Sequence, residues 1–283
     1  MNWSRGPRRF SLGLRTLFGS KSHGYFIPSR AAGYRSFDTP GTAYPFSAER
    51  FQSAEPEMMR YLSIADGYAD EFDEIQQNDS TFARWDQDWF PRLDAALLYS
   101  FIRHFKPERI VEVGSGHSTR FAQKAMADEG LACSFTAIDP HPRKPIPTAD
   151  NFTWMAKPAQ AVAPEFWTTL RDGDFLIIDS SHVLMPGSDV DVLLNKVLPA
   201  LPGGVIVQIH DILLPDDYPS DWAWRGYNEQ LGVVSYLKSR ASEILISSHY
   251  VTTRLQAEFG VTKISKLMMP KGARETSLWI RMC

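Results

Sequence analysis

The chain is poor in several features that would classify it quickly. Only two of its 283 residues are cysteine, Cys133 and Cys283. That excludes a disulfide framework and a cysteine metal site, and it fits a reducing, cytoplasmic compartment. Neither sign of charge dominates. Thirty basic against 33 acidic residues, a net charge of -3, give no electrostatic footprint for nucleic acid. No apolar run approaches the length of a membrane span, so no integral membrane segment is expected. Acidic residues are missing from the start of the chain, where Arg5, Arg8, Arg9, Arg15, Lys21, Arg30 and Arg35 all precede the first acid, Asp38. The Arg8-Arg9 pair ahead of "FSLGLRTLF" has the outline of an export signal. However, Arg15 interrupts the short apolar stretch and no small-residue cleavage site follows. An irregular, mobile basic arm is expected over residues 1–46, with an arm lying on an anionic surface or a partner subunit as the alternative.

What the chain does have is hydrophobic periodicity. At 43% hydrophobic it can bury one sizeable core plus an accessory segment. Phe51, Met58, Met59, Tyr61, Leu62, Ile64, Tyr68, Phe72 and Ile75 recur at helical spacing. Pro91 then suits the first turn of a helix whose face carries Leu93, Ala96, Leu97, Phe101 and Phe105. Accessory helices forming a lid are therefore expected over 47–106. After Pro107 strands and helices alternate: "RIVEV", "CSFTAID", "NFTWMA", "DFLIIDS", "GGVIVQIHD", "EILISSHYV" and "TSLWIRM" read as seven strands, with helices between them near 118–130, 159–170, 188–200 and 227–240. This rhythm predicts an α/β fold over 107–283, a doubly wound, mostly parallel, Rossmann-like sheet covered on both faces.

Ligands of such a sheet bind beyond the carboxyl ends of its strands, where Gly114, Ser115 and Gly116 follow the first strand. A dinucleotide fingerprint would place a third glycine at position 119, which holds Thr119. A phosphate-binding loop would need a Lys-Ser/Thr pair after its last glycine, and there is none. Glu112, just before the glycines, would repel a phosphate and welcome a cation. Asp139 ends the second strand, where an acid accepts hydrogen bonds from ribose hydroxyls. A ligand with ribose, a positive charge and no phosphate fits this set, and S-adenosylmethionine has all three properties. The alternative reading is that Glu112 and Asp139 cap helix ends.

In combination, "VEVGSGHS", "AIDP" and "DFLIIDSSH…GSDVDVLLNKVLPALPGGVIVQIHDI" resemble the motifs of class I S-adenosylmethionine-dependent methyltransferases. More narrowly, "VGSGHST", "DSSH", "LPGGVIVQIHDILLPDDYP" and "YNEQ" resemble a bacterial small-molecule subgroup near the macrocin O-methyltransferase and cephalosporin-hydroxylase-like families. The resemblance covers roughly two thirds of the chain. It implies that Gly114, Ser115 and Gly116 cradle the methionine end, that Glu112 sits near its amino group, that Asp139 holds the ribose, and that residues 156–159 flank adenine.

Asp179 and His182 end the fourth strand, and His210 and Asp211 end the fifth, so adjacent strands bring all four to one mouth beside the cofactor. Resemblance to catechol-type O-methyltransferases implies that Asp179 is a metal acid, His182 a catalytic base and His210-Asp211 the second metal pair. His210 and Asp179 are also candidate catalytic residues, and Asp179 a candidate cofactor-binding residue. Histidine stands where that family has lysine and an acid, and the mixed oxygen and nitrogen set leaves the divalent metal open. Asp189 and Asp191 read as helix-cap residues. Trp85, Trp89 and Phe90, with Trp222, Trp224 and Tyr227, are placed to reach over the mouth and suit a sugar, phenol or polyketide-like acceptor. The expected activity is O-methylation of a small-molecule hydroxyl, in a chain whose oligomeric state is open. Two alternatives stand beside it: a non-catalytic S-adenosylmethionine-binding or assembly module, and a nicotinamide-dependent oxidoreductase, which Thr119 and Glu112 disfavour.

Overall fold

The computed structural model describes residues 6–19, 44–77, 83–142, 149–239 and 241–283. Met1–Thr39 and Pro40–Cys283 form two compact units. In the first, the expectation of an irregular arm is corrected over Gly6–Phe18, which form helix α1. Residues 20–43 of the expected arm lie outside the described residues.

The second unit opens with helices α2 (Pro45–Ser53), α3 (Glu55–Asp66), α4 (Ala69–Gln77) and α5 (Arg92–Phe105). Pro45 and Pro56 start α2 and α3, where the missing N–H costs nothing. Lys106, in the left-handed region at φ 50°, stops α5, and Pro107 prevents its continuation. The core elements follow: β1 (Arg109–Val113), α6 (His117–Glu129), β2 (Ser134–Ile138), β3 (Phe152–Met155), α7 (Pro164–Trp167), β4 (Phe175–Ile178), α8 (Asp189–Val192), β5 (Ile206–Ile209), α9 (Glu229–Lys238), β6 (Ser242–Ser247), α10 (Ser248–Arg254), α11 (Gln256–Gly260) and β7 (Leu278–Met282).

The sheet runs β3-β2-β1-β4-β5-β7-β6, parallel throughout except that β7 is antiparallel to β5 and β6. Strands β4 and β5 are wholly buried, as strands covered on both faces should be. Two expected elements are shorter than their patterns. The sixth strand ends at Ser247, whose hydroxyl accepts from Tyr250 N–H and starts α10, so the "SHY" that reads as strand is helical. The helix near 159–170 is a short turn plus α7, because Pro164 interrupts it.

The accessory helices share the core of the sheet. Helix α5 lies against α6, and α3 against α5 and β6. Phe101 of α5 meets Trp279 of β7 with ring centroids 4.7 Å apart. Trp85 is buried in this core, edge-on to Phe72 and beside Phe121, with its indole N–H donating to the Phe72 carbonyl. It therefore does not reach the mouth, contrary to expectation. Among the described residues no helix is long and apolar enough to cross a membrane.

Candidate functional site

The glycine turn begins where β1 stops. Gly114 has φ +95°, a conformation that only glycine adopts without strain, and a β-carbon there would lie 2.4 Å from the Asp179 carbonyl oxygen. This close approach brings the end of β4 against the turn. A β-carbon on Gly116 would meet nothing within 4 Å, so its backbone faces open space. Ser115 donates its hydroxyl to Asp139 Oδ2 at 2.6 Å, and His141 N–H donates to Asp139 Oδ1 at 2.7 Å. The carboxylate at the end of β2 is thus pinned beside the turn, half-buried, with lone pairs left for hydroxyl donors.

Glu112 is placed differently from a carboxylate facing an ammonium group. It is fully buried, and its two oxygens accept from the Ser118 and Thr119 hydroxyls at 2.5 and 2.6 Å. Burial pushes its carboxyl up to about 8, against the pull of those two hydroxyls. It ties the first turn of α6 to β1, and Thr119 also accepts from Gly116 N–H. Thr119, which stands where a dinucleotide site has glycine, therefore builds the turn. On the far side Trp154 of β3 donates its indole N–H to the Asp139 carbonyl, just before the segment expected to flank adenine.

The acids and histidines at the ends of β4 and β5 do converge. His182 Nε2 lies 3.1 Å from Asp179 Oδ1 and 3.5 Å from Asp211 Oδ2, while its Nδ1 lies 2.8 Å from Glu229 Oε2. An imidazolium, with both ring nitrogens donating, satisfies these carboxyl oxygens together, although burial also raises the pKa of Glu229. Burial alone would lower the pKa of His182, but Asp179, Glu229 and Asp211 overcome it and hold the ring well above the usual histidine range. His210 is similar. Its Nδ1 faces Asp179 at 3.6 Å and its Nε2 faces Asp94 at 3.5 Å. Burial again opposes, and the charge of Asp211 with contacts to Asp179 and Asp94 wins, raising its pKa. Asp179 is the outlet of this network. Its side chain is 43% exposed, whereas the His182 and His210 side chains are each 5% exposed. Desolvation would raise its carboxyl, yet the two imidazoles hold it well below the usual carboxylate range.

Two members of the cluster have strained backbones. His182 and Asp211 sit at φ 59° and 56°, each at a cost of about 1–3 kcal/mol. The loop after β4 is fixed to α9, since the His182 carbonyl accepts from Asn228 and Glu229 N–H and Asn228 Oδ1 accepts from Leu184 N–H. Ser188 caps α8 by accepting from Asp191 N–H, whereas Asp189 and Asp191, expected as caps, lie within α8 and accept from Ser181 and Gly187 N–H of the preceding loop.

The sequence leaves a divalent metal open. Among the described residues no group of three or more His, Cys, Asp or Glu has a metal-holding arrangement, and the ring nitrogens of His182 and His210 face carboxylates.

Aromatic rings surround the mouth. Tyr227 packs on His182 with centroids 4.5 Å apart, and Phe90 on His210 at 5.2 Å. Tyr218, Trp222 and Tyr227 are neighbours, and the Arg225 guanidinium lies 4.1 Å above Trp222 and reaches Asp211 at 3.4 Å. Glu229, Asp94, Arg225 and Thr276 are the members that sequence reasoning missed. Thr276 lies 3.3 Å from His210 Nε2. Only Glu229, inside the quoted "YNEQ", carried any local signal.

Comparison with known proteins adds one decisive observation: residues 111–212 match the sequence model of the methyltransferase-domain family. Those residues are similar to a methyltransferase domain. The match runs from β1 past β5 and includes the glycine turn, Asp139, Asp179, His182, His210 and Asp211. With the strand order above, the matched segment lies in a seven-stranded, mostly parallel, Rossmann-like α/β sheet. An uncharacterised protein of Archaeoglobus fulgidus is 30% identical over 126 residues, 41% of this chain and 56% of that protein. The chain thus spans about half the length of that curated relative. Among solved structures, the S-adenosylhomocysteine-bound Podospora anserina methyltransferase PaMTH1 is 14% identical with a TM-score of 0.43, covering 92% of this chain and 99% of that one. An apo-structure of CmcI is 15% identical with a TM-score of 0.44, covering 75% and 83%. The plantazolicin methyltransferase BpumL is 13% identical with a TM-score of 0.41, covering 84% and 99%. Likeness at this level carries no substrate from those proteins to this one.

Proposed function

We propose that the chain transfers a methyl group from S-adenosylmethionine to a hydroxyl of a small molecule. The observation that carries this reading is the contact between Gly114 and Asp179, which sets a half-exposed carboxylate directly beside the glycine turn. The open backbone at Gly116 and the pinned Asp139 suit the methionine and ribose parts of the cofactor. Bound there, the cofactor supplies an electrophilic methyl on a sulfonium that leaves as a neutral thioether.

The protein has two tasks, to align the acceptor and to take a proton. Asp179 does the second. It accepts a hydrogen bond from the acceptor hydroxyl and turns an oxygen lone pair toward the methyl. As the new carbon–oxygen bond forms, that oxygen becomes an oxonium, far more acidic than any carboxylic acid. Even a carboxylate with a depressed pKa then receives the proton. His182 and His210, expected as base and catalytic partner, hold Asp179 anionic and in place, and Glu229, Asp94 and Asp211 hold them. Tyr227, Trp222 and Phe90 give the acceptor apolar walls, which suits a phenol, sugar or polyketide-like ring.

The test is incubation with methyl-labelled S-adenosylmethionine and a panel of such hydroxyl acceptors, followed by product analysis. Labelled ether in one acceptor supports the reading. Binding of NAD without either adenosyl ligand would overturn it. Tight S-adenosylhomocysteine binding with no transfer across the panel would favour the non-catalytic binding module.

A further inference from the structure

The clearest surface feature outside the site is on α1. Phe10, Leu14, Leu17 and Phe18 follow the i, i+4, i+7, i+8 spacing of one helical face and are 70%, 41%, 53% and 84% exposed. Leu12 is off this stripe and half-buried. Exposed apolar residues are ordinary when scattered, but four large ones along a single stripe mark an interaction surface. The sequence around the stripe has one sign of charge. Residues 1–37 contain seven basic residues and no acidic one, in a chain whose net charge is -3.

Charge decides the occupant. A second copy of α1 laid on this face would add a basic helix to a basic helix, with no acid on either to balance it. A sheet of anionic lipid headgroups attracts every basic residue at once and takes the apolar side chains into the acyl boundary. Thirteen residues make a helix about 20 Å long, too short to span a bilayer and long enough to lie in its plane. Phenylalanines at positions 10 and 18 would anchor the stripe near both ends.

We propose that α1 is a membrane-surface helix that docks the chain on anionic lipid, with the Phe10, Leu14, Leu17 and Phe18 face turned into the bilayer. This proposal is independent of the catalytic reading.

The test is sedimentation of the full chain with two kinds of vesicle, one of phosphatidylcholine alone and one of equal parts phosphatidylcholine and phosphatidylglycerol. The chain should sediment with the anionic vesicles, and partitioning onto phosphatidylcholine alone should be at least about tenfold weaker. Arg15→Ala should weaken anionic binding by about fivefold, the effect of one charge at such a surface. The double substitution Leu17→Glu with Phe18→Glu should abolish binding while leaving the thermal melt of the chain unchanged. No binding by the unmodified chain overturns the proposal, and so does equal binding by the double variant. A third contrary result is a dimer in light scattering that the double variant splits, without vesicle binding, which would assign the face to a second copy.

Discussion

Glu229 Oε2 and His182 Nδ1 lie 2.8 Å apart, and the two side chains are 0% and 5% exposed. A buried cation held by a buried anion is costly to break from one side. Glu229→Ala should destabilise the fold by about 3–5 kcal/mol, read from urea unfolding. Glu229→Gln keeps a hydrogen-bond partner and should cost less. The pH dependence has a definite sign. The folded pKa of His182 is raised, so its stabilising contribution is complete below the unfolded value of about 6.5 and is lost as pH rises through the folded value. Glu229→Gln should flatten that fall in stability on the alkaline side. Parallel stability–pH curves for the two proteins would count against a charged His182.

Asp179→Asn removes the acceptor of the transferred proton and keeps the shape of the side chain. It should lower kcat roughly 10²–10⁴-fold while S-adenosylhomocysteine affinity changes little. Activity of the unmodified protein should survive EDTA, because the imidazoles at the mouth are already paired with acids. Loss of activity in EDTA that Mg²⁺ or Mn²⁺ restores would instead make Asp179 a metal ligand.

Glu112 titrates in the opposite sense to most carboxylates. Its folded pKa is about 8, so between its ordinary value and that point the folded state binds a proton that the unfolded state has lost. Its contribution to stability therefore falls as pH rises through that window. Glu112→Gln keeps partners for Ser118 and Thr119 and removes the penalty. The variant should match the unmodified protein below about pH 4.5 and be more stable above about pH 8, in denaturant titrations at both ends. A uniform loss at every pH would refute the raised pKa.

Gly114→Ala combines left-handed backbone with a β-carbon driven into the Asp179 carbonyl, so it should cost about 2 kcal/mol or more and weaken cofactor binding. Asp139→Ala leaves the fold intact and should weaken S-adenosylhomocysteine binding in calorimetry. Unchanged affinity in Asp139→Ala would remove the ribose from that carboxylate.

The sequence alone determined the sheet and the glycine turn, because both are written in contiguous residues. Buried strands are runs such as "FLIID", and the turn is a strand, two glycines and a helix start within one short stretch. Local pattern failed where one residue decides an end. Ser247 turns a strand-like run into helix by capping it, and Pro164 breaks a helix that periodicity would continue. Protonation was decided only by the tertiary structure. His182 reads as a free base while its partners are unknown, and its nearest partner stands 47 positions away on α9. Asp94, which faces His210, comes from a helix that precedes the whole sheet. An imidazole near neutrality takes its charge from whatever surrounds it, and folding alone brings four carboxylates around two rings.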